Sequence, residues 1–340
     1  MPISTNGNDI GSTLAFAKSS GRLFLAGLLI TLFAACGESG PGDKRLEEIR
    51  ESGRLHVLTR NSPTTFYINR DDQPEGLEYD LTQAFAEHLG VEVEYERVHS
   101  VAEIIERIEN GEGDIGAAGI SRTEERLDRI RTGPGYQTVE QQVVCRRGGA
   151  EPQGVDDLEE VSLLVMEGTS YHDRLQALQA DYPDLEFETT NELNTEQLLR
   201  FVWERRVDCT VADSNLVAIT RRYYPELEIR FNLGAPDTLV WVMPRGANRL
   251  RREIGNWYGD FEDSGAMERI LDRYYGFYEV FDYVDIRRLH RRVRERLPRY
   301  ETHFRQAAAA HDFDWILLAA VGYEESHWNP SARSPTGGYY

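Results

Sequence analysis

One carboxylate near the end of the chain lies in a setting that favours proton transfer. Residues 314–330 predict a helix that Asp314 caps and Asn329-Pro330 stops, because proline disfavours helical geometry in the residue before it. Four residues follow i, i+3, i+7, i+10 spacing, as on a core-facing helix side: Leu318, Val321, Glu325 and Trp328.

Glu325 thus occupies a position where an apolar residue is expected. A carboxylate held against Trp328 and aliphatic neighbours loses hydration, which favours its protonated form near neutral pH and suits a proton donor. Glu324 points about 100° away on the helix. The alternative is that Glu325 is a solvated residue at a helix end, as most such glutamates are.

The residues around Glu325 also match a known motif. Tyr323 to Pro330, then Ala332 and Ser334-Pro335-Thr336-Gly337, resemble the start of the catalytic domain of soluble-lytic-transglycosylase-type murein hydrolases. The resemblance implies that Glu325 is the catalytic acid. It protonates the glycosidic oxygen between N-acetylmuramic acid and N-acetylglucosamine, then accepts a proton from the muramyl 6-hydroxyl as a 1,6-anhydro ring closes.

An internal hydroxyl nucleophile lets one carboxyl group serve in both steps, whereas most glycosidases need two. The same resemblance implies that Ser326 orients Glu325. The alternative for Ser326 is a helix-end hydroxyl that hydrogen-bonds back to the backbone.

The motif breaks off at the end of the chain. In the family, Ser-Pro-Thr-Gly continues into about a hundred further residues that form the substrate groove, whereas this sequence reads Gly337-Gly338-Tyr339-Tyr340. We therefore expect residues 284–340 to be the N-terminal part of an all-α, lysozyme-like domain, in a fragment or truncated product. Without groove walls, this stub is expected to be inactive.

The larger, earlier part of the chain alternates strands and helices. Leu55 to Thr59 and Val91 to Tyr95 predict strands, and Tyr79 to Leu89 predicts an amphipathic helix closed by Gly90. Another helix at 101–110 precedes a buried strand at 114–119. This order indicates an α/β fold with parallel pairing, in which ligands bind at the carboxyl ends of the strands.

Residues 54–277 resemble a second family, the type II periplasmic solute-binding proteins that carry polar amino acids. The match rests on order and spacing of three segments, residues 76–81, 113–126 and 134–136. It implies two α/β lobes, lobe one at 54–147 and 239–277 and lobe two at 150–236. The turn-rich stretch 146–154, rich in glycine, independently favours a break there.

The resemblance also assigns ligand-binding residues. Arg126 of Thr123-Glu-Glu-Arg126 grips a carboxylate, because its planar fork matches two oxygens. Asp213 receives an amino group, and backbone amides at Gly168-Thr169-Ser170 meet the same carboxylate. The alternatives are a surface arginine, a turn aspartate and a plain helix cap at Thr169. A paired Arg and Asp suits a zwitterion such as an amino acid or a muropeptide.

The first residues carry an export signal. An apolar run of 13 residues, Leu23 to Ala35, follows Lys18 and Arg22 and is too short to span a bilayer as a mature helix. The sequence thus predicts a signal peptide at 1–35 and a tether at 36–53; the alternative is an anchor that stays in place. Phe33-Ala-Ala-Cys36 resembles the bacterial lipobox, which implies a lipidated Cys36 at the outer membrane, facing the periplasm.

The amino-acid composition limits which binding partners are expected. The net charge of −20 argues against nucleic acid or an anionic membrane, although eight arginines cluster between Arg287 and Arg305. These predict either an anion-binding patch or a solvated helix face paired with acidic neighbours. Cys145 and Cys209 are taken as buried small residues, with a disulfide left open. No metal-ligand cluster and no cofactor motif is found.

Two functions follow from these patterns. One is a lytic transglycosylase that degrades peptidoglycan under control of a ligand-binding domain. The other is a membrane-tethered amino-acid or peptide-binding protein without catalysis.

Overall fold

The computed structural model describes residues 44–276 and 283–332. The predicted leader, Cys36 and the first part of the tether, residues 36–43, lie outside these residues, as do Phe277 and the segment 334–337. The rest of the predicted tether contains a helix, Arg45–Ser52, with Leu46 and Ile49 buried. The strands are β1 Arg54–Thr59, β2 Tyr67–Ile68, β3 Pro74–Glu75, β4 Glu92–Arg97, β5 Ile115–Ser121, β6 Arg131–Val139, β7 Gln141–Arg146, β8 Leu164–Met166, β9 Glu188–Thr190, β10 Cys209–Asp213, β11 Leu227–Asn232 and β12 Asp237–Met243.

The α-helices are α1 Arg45–Ser52, α2 Leu77–Leu89, α3 Val101–Glu109, α4 Glu124–Leu127, α5 Ser170–Leu178, α6 Thr195–Trp203, α7 Ser214–Tyr223, α8 Asn248–Asp263, α9 Ala266–Tyr275, α10 Tyr283–Glu295, α11 Glu301–His311 and α12 Trp315–Ser326. Short 3₁₀ helices at Val155–Glu160 and Leu297–Arg299 complete the described elements.

Lobe one is built on a five-stranded sheet in the order β4-β1-β5-β12-β6. β1 pairs in parallel with β4 and β5, whereas β12 runs antiparallel to β5 and β6. The apolar stripe of α3 packs closely on this sheet at Gly116. A Cβ there would lie 2.7 Å from Ile104 Cγ2 and from Val242 Cγ2, so only glycine allows this approach.

Lobe two contains an antiparallel sheet in the order β10-β7-β11 and a short parallel pair, β8 and β9. The helices α5, α6 and α7 belong to this lobe. Leu198, Leu199 and Val202 of α6 are fully buried. Asn194 caps α6 with a complete capping box: its Oδ1 accepts from the Gln197 amide, and Gln197 Oε1 accepts from the Asn194 amide.

The first crossing between the lobes differs from the sequence expectation. The sequence placed lobe one up to residue 147 and the break at 146–154. In the structure, β6 ends at Val139 in the lobe-one sheet, and β7 begins at Gln141 in the lobe-two sheet. The chain changes sheets at Glu140 because an extended backbone can leave one ladder and enter another without turn residues. The stretch at 146–154 is a surface turn within lobe two.

The C-terminal helices α10, α11 and α12 follow. Asp314 caps α12 as predicted, its side chain accepting a hydrogen bond of 2.8 Å from the Ile316 amide. The helix ends at Ser326, before the predicted stop, because His327 and Trp328 both adopt left-handed backbone angles with φ of 52°. The turn returns the Trp328 indole to the helix, where Nε1 donates to Ala319 O at 2.8 Å.

Cys145 and Cys209 form a disulfide, which resolves the pairing that the sequence left open. The two residues lie directly opposite each other on the antiparallel strands β7 and β10, with Cα atoms 4.3 Å apart. They are also fully buried, as the sequence suggested. The bridge fastens the strand that enters lobe two to the strand that ends at Asp213.

Reduction of this disulfide is expected to lower the free energy of unfolding by roughly 2–4 kcal/mol, because it frees a long loop in the unfolded chain. Urea unfolding with and without dithiothreitol measures the effect. A double variant, Cys145→Ala with Cys209→Ala, serves as the control and should not respond to the reductant. Identical midpoints for the native protein, with reduction verified by thiol titration, would contradict the expectation.

Candidate functional site

A small cavity lies between the two lobes, at the carboxyl ends of strands and the first turns of helices. Lobe one lines it with Arg60 after β1, Gly119 and Ser121 of β5, and Arg126 of α4. Lobe two adds residues from the starts of α5 and α6 and the end of β10: Thr169, Ser170, Tyr171, Thr195 and Asp213. This is where α/β folds of this topology place their ligands.

Arg126 is buried at the boundary of the lobes, with 6% of its surface exposed. Nη1 donates to Ser121 O at 2.8 Å in lobe one, and Nη2 donates to Gly168 O at 3.3 Å in lobe two. Burial lowers the pKa of the guanidinium, and the carboxylates of Asp173 and Asp237 oppose that shift. Arg126 is therefore not the exposed surface arginine of the alternative interpretation.

Thr169 caps the first turn of α5. Its hydroxyl donates to Met166 O at 2.8 Å and accepts from the His172 amide at 3.3 Å, so the local, capping interpretation holds for the side chain. Gly168 before it has a φ of +72°, which favours glycine. The loop thereby presents the start of a helix to the cavity, a favourable setting for an anion.

Asp213 ends β10 and occupies the N-cap position of α7, yet its side chain makes no capping hydrogen bond. Its Oδ1 is buried and has no hydrogen-bond partner among the described residues. Burial raises the pKa of this carboxyl to about 7, while Arg60 opposes the shift. Asp213 thus lines the cavity at the end of β10, and its buried Oδ1 lacks a donor among the described residues.

Two further residues were not assigned from the sequence: Arg60, which lines the cavity, and Glu78, which bonds to the lining residue Gly119. Arg60 follows β1 directly, and its only signal is a charged side chain immediately after a buried strand. Its Nε donates to Ala118 O at 3.2 Å. Glu78 lies on α2, and its signal is helical spacing with the buried Leu81, Thr82 and Phe85.

Glu78 is 1% exposed and holds the floor of the site together. Oε1 accepts from the Tyr136 hydroxyl at 2.6 Å, and Oε2 accepts from the Gly119 amide at 2.9 Å. Gly119 adopts a φ of +67°, so it supplies this amide in a conformation that favours glycine. Burial raises the pKa of Glu78 to about 7, against the effect of both hydrogen bonds.

The lobes are closed over the cavity, which has a volume of about 20 Å³, room for one water molecule. Contacts across the cleft include Arg126 to Gly168, Ser62 to Glu196, and His99 Nε2 to Asn191 O at 2.7 Å. An amino acid can enter only when the lobes part. A wider groove of about 700 Å³ runs along β6, α8 and α9, but the buried charges converge in the small cavity.

The structure changes the interpretation of α12. Glu325 is exposed, and Val321 is 51% exposed, so the predicted core-facing stripe is wrong. The packed face is offset by one residue and contains Ala319 and Gly322, the latter against the Phe304 ring of α11. A small-residue face allows the helices to approach closely, which the spacing of large apolar residues does not reveal. Ser326 Oγ donates to Gly322 O at 3.0 Å, the backbone alternative for that side chain.

The two α/β lobes and the cavity between them define a type II periplasmic binding protein. Residues 54–277 match the family of bacterial extracellular solute-binding proteins, family 3. A solved cysteine-binding protein from Campylobacter jejuni superposes with a TM-score of 0.63 at 18% identity, covering 71% of this chain and 97% of that one. At that identity the likeness concerns the fold alone.

Curated relatives make the assignment more specific. The chain is 41% identical to membrane-bound lytic murein transglycosylase F 2 of Alkalilimnicola ehrlichii, over 92% of this chain and 70% of that protein. It is 35% identical to membrane-bound lytic murein transglycosylase F of Saccharophagus degradans, over 93% and 63%. The chain belongs to the membrane-bound lytic murein transglycosylase F family and spans about two thirds of the length of these relatives.

No helix among residues 44–276 and 283–332 has the length and apolar character needed to cross a membrane.

The raised pKa of Glu78 predicts how stability depends on pH. Between pH 4.5, where this carboxyl ordinarily titrates, and about pH 7, the folded chain holds a proton that the unfolded chain has released. The free energy of unfolding therefore falls as the pH rises through this window, on the order of 3 kcal/mol from Glu78.

Urea unfolding at pH 5 and pH 8 tests this expectation with Glu78→Gln, which should show a smaller fall than the native protein. Glu87→Gln is the matched control, since Glu87 is an exposed glutamate of the same helix. An equal fall in the Glu78 variant and the native protein would refute the assignment.

Proposed function

We propose that the cavity binds the zwitterionic end of an amino acid or muropeptide and that this binding regulates a murein-degrading lytic transglycosylase. The observation that carries the binding proposal is the convergence of Arg126 and Asp213 on one closed cavity. Arg126 supplies a guanidinium for the carboxylate, and the unpartnered Oδ1 of Asp213 accepts from the ammonium. The helix start at Thr169 adds a partial positive charge beside the carboxylate.

The proposed ligand pairing accounts for groups that the protein leaves incompletely paired. A buried carboxyl that lacks a donor is unfavourable, and an ammonium group at Asp213 removes that penalty. Arg126 bonds to two backbone carbonyls and has the Asp173 carboxylate 3.9 Å away, so a ligand carboxylate gives it a charged acceptor at hydrogen-bond distance. Both gains require a ligand that carries the two charges close together, as an α-amino acid does.

Isothermal titration of the purified chain with amino acids and muropeptides tests the binding proposal. Arg126→Met and Asp213→Asn are expected to weaken binding by about 30-fold or more, because each leaves a ligand charge unpaired in a buried site. Arg129→Met is the matched control, an exposed arginine of the same segment that pairs with Glu109. Absence of heat with every ligand, in protein shown to be folded, would count against the proposal.

The catalytic proposal rests on the names of the relatives and on the motif around Glu325. Those relatives are named lytic murein transglycosylases, which supports peptidoglycan glycan strands as substrate. Glu325 is proposed as the acid, and then the base, of 1,6-anhydromuramyl formation, with Ser326 in support.

A second function, a membrane-tethered binding protein without catalysis, is favoured by the surroundings of Glu325. Its side chain is exposed among the described residues, whereas a general acid is usually desolvated. The two functions share the ligand site and differ in whether α12 contributes to a substrate groove.

The proposed location is the periplasmic face of the outer membrane, with Cys36 lipidated. The relatives are named membrane-bound, and the disulfide between Cys145 and Cys209 fits an oxidising compartment. Cys36 itself lies outside the described residues.

Digestion of purified murein by the longest natural form of this chain distinguishes the two functions. Glu325→Gln is expected to lower the release of 1,6-anhydromuropeptides by roughly 10²–10⁴-fold, the usual contribution of a general acid. Glu324→Gln, next to it and also exposed, is the matched control and should retain activity. Unchanged product release by the Glu325 variant would exclude that residue as the acid. No release by the native form would leave the binding function.

A further inference from the structure

Arg60 is a second cation in the ligand cavity, and the pairing of a zwitterion does not use it. It follows β1 and enters from lobe one, across from Tyr171 and Thr195 of lobe two. The guanidinium has five N–H donors, and among the described residues only Nε has a partner, Ala118 O. No carboxylate of the described chain lies within ion-pair distance of Arg60.

Two acids are nearby, and neither bonds to Arg60. Glu78 acts on it through space, but both Glu78 oxygens are occupied by Tyr136 and Gly119. Asp213 also interacts electrostatically with Arg60, but its carboxyl group is proposed to bind the ligand ammonium. The terminal nitrogens of Arg60 therefore retain a planar fork of donors on the cavity side of lobe one.

The other cation of the cavity, Arg126, already has partners in the protein and a proposed role in binding. Arg126 uses carbonyl groups of both lobes and is proposed to hold the α-carboxylate. Val101 and Leu216 also line the cavity and offer apolar contact for a short methylene chain. The lining thus contains a partner for an ammonium, partners for two carboxylates, and an apolar surface.

We propose that Arg60 binds a second carboxylate of the ligand, so that the site selects acidic amino acids, free or at the exposed end of a peptide. The inference rests on the proposed binding function and makes it specific. A bidentate guanidinium–carboxylate pair explains why arginine stands here, because a neutral amide of the same shape offers only one acceptor oxygen.

Matched ligand pairs that differ only in charge test the inference. The native chain is titrated calorimetrically with glutamate, in both enantiomers, against glutamine, and with aspartate against asparagine. Glutamate or aspartate is expected to bind roughly 10- to 100-fold more tightly than its amide, the range of a charge-assisted hydrogen bond. The remaining standard amino acids are titrated under the same conditions.

Three variants connect the preference to Arg60. Arg60→Gln is expected to abolish the preference for the acid and to leave affinity for the amide within a few-fold. Arg60→Lys keeps the charge but loses the fork, so a reduced preference should remain. Arg126→Met should weaken acid and amide together. Thermal unfolding followed by circular dichroism verifies that each variant is folded.

The outcomes separate the two proposals. Equal affinity of the native chain for acid and amide, tighter binding of a neutral or basic amino acid, or an acid preference that survives Arg60→Gln would overturn the role of Arg60 while leaving the binding site intact. If no ligand binds to the native chain, the binding function fails and the inference fails with it.

Discussion

The desolvated guanidinium of Arg126 is the interaction on which the geometry of the ligand cleft depends. A buried arginine must satisfy its donors, and Arg126 does so with Ser121 O of lobe one and Gly168 O of lobe two. The second bond exists only while the lobes are closed. Parting them exposes Nη2 to water, so the group proposed to bind the ligand carboxylate also depends on the distance between the lobes.

The same constraint explains the acids around the cavity. Glu78 and Asp213 both have a pKa raised to about 7 by burial, although cations stand nearby. For Glu78 the hydrogen bonds from Tyr136 and Gly119 compensate part of the loss of hydration, and they connect the cavity floor to the core of lobe one. Asp213 has no such donor for Oδ1. Hydrogen bonds therefore stabilise the floor of the cavity, whereas the carboxyl group of Asp213 keeps an oxygen without a donor.

Sequence patterns predicted the order of elements well because each depends on local chemistry. The helix closed by Gly90, the helix at 101–110 and the Asp314 cap were found where periodicity and capping residues placed them. The family resemblance assigned ligand-binding roles to Arg126, Thr169 and Asp213, and all three line the same cavity. The change of sheets at Glu140 was missed because extended backbone crosses between lobes without a turn signal. Helical spacing predicted a buried acid at Glu325, which is exposed; the same spacing applied to α2 predicts a buried acid at Glu78, which is buried. The spacing alone does not separate the two cases, because burial depends on the element that packs against the helix.

The contacts of the C-terminal helices bear on how a ligand could influence them. Helix α10 meets lobe two through Arg287 and Glu226, 2.7 Å apart, and through Arg147 over the Tyr283 ring at 4.2 Å. The cap of α12 meets lobe one through Asp314 and Arg70. Surface ion pairs of this kind contribute about 0–1 kcal/mol each. The helices are thus fastened weakly to both lobes.

A ligand of micromolar affinity has a binding free energy of about 8 kcal/mol in magnitude. The difference between its binding free energies to the closed and to the open form shifts the equilibrium between those two forms. Even a quarter of it exceeds the strength of the surface pairs that hold α10 and α12. Regulation of the C-terminal helices by ligand therefore requires no strong coupling path, only that closure changes the separation between Glu226 and Arg70, to which the two helices are attached.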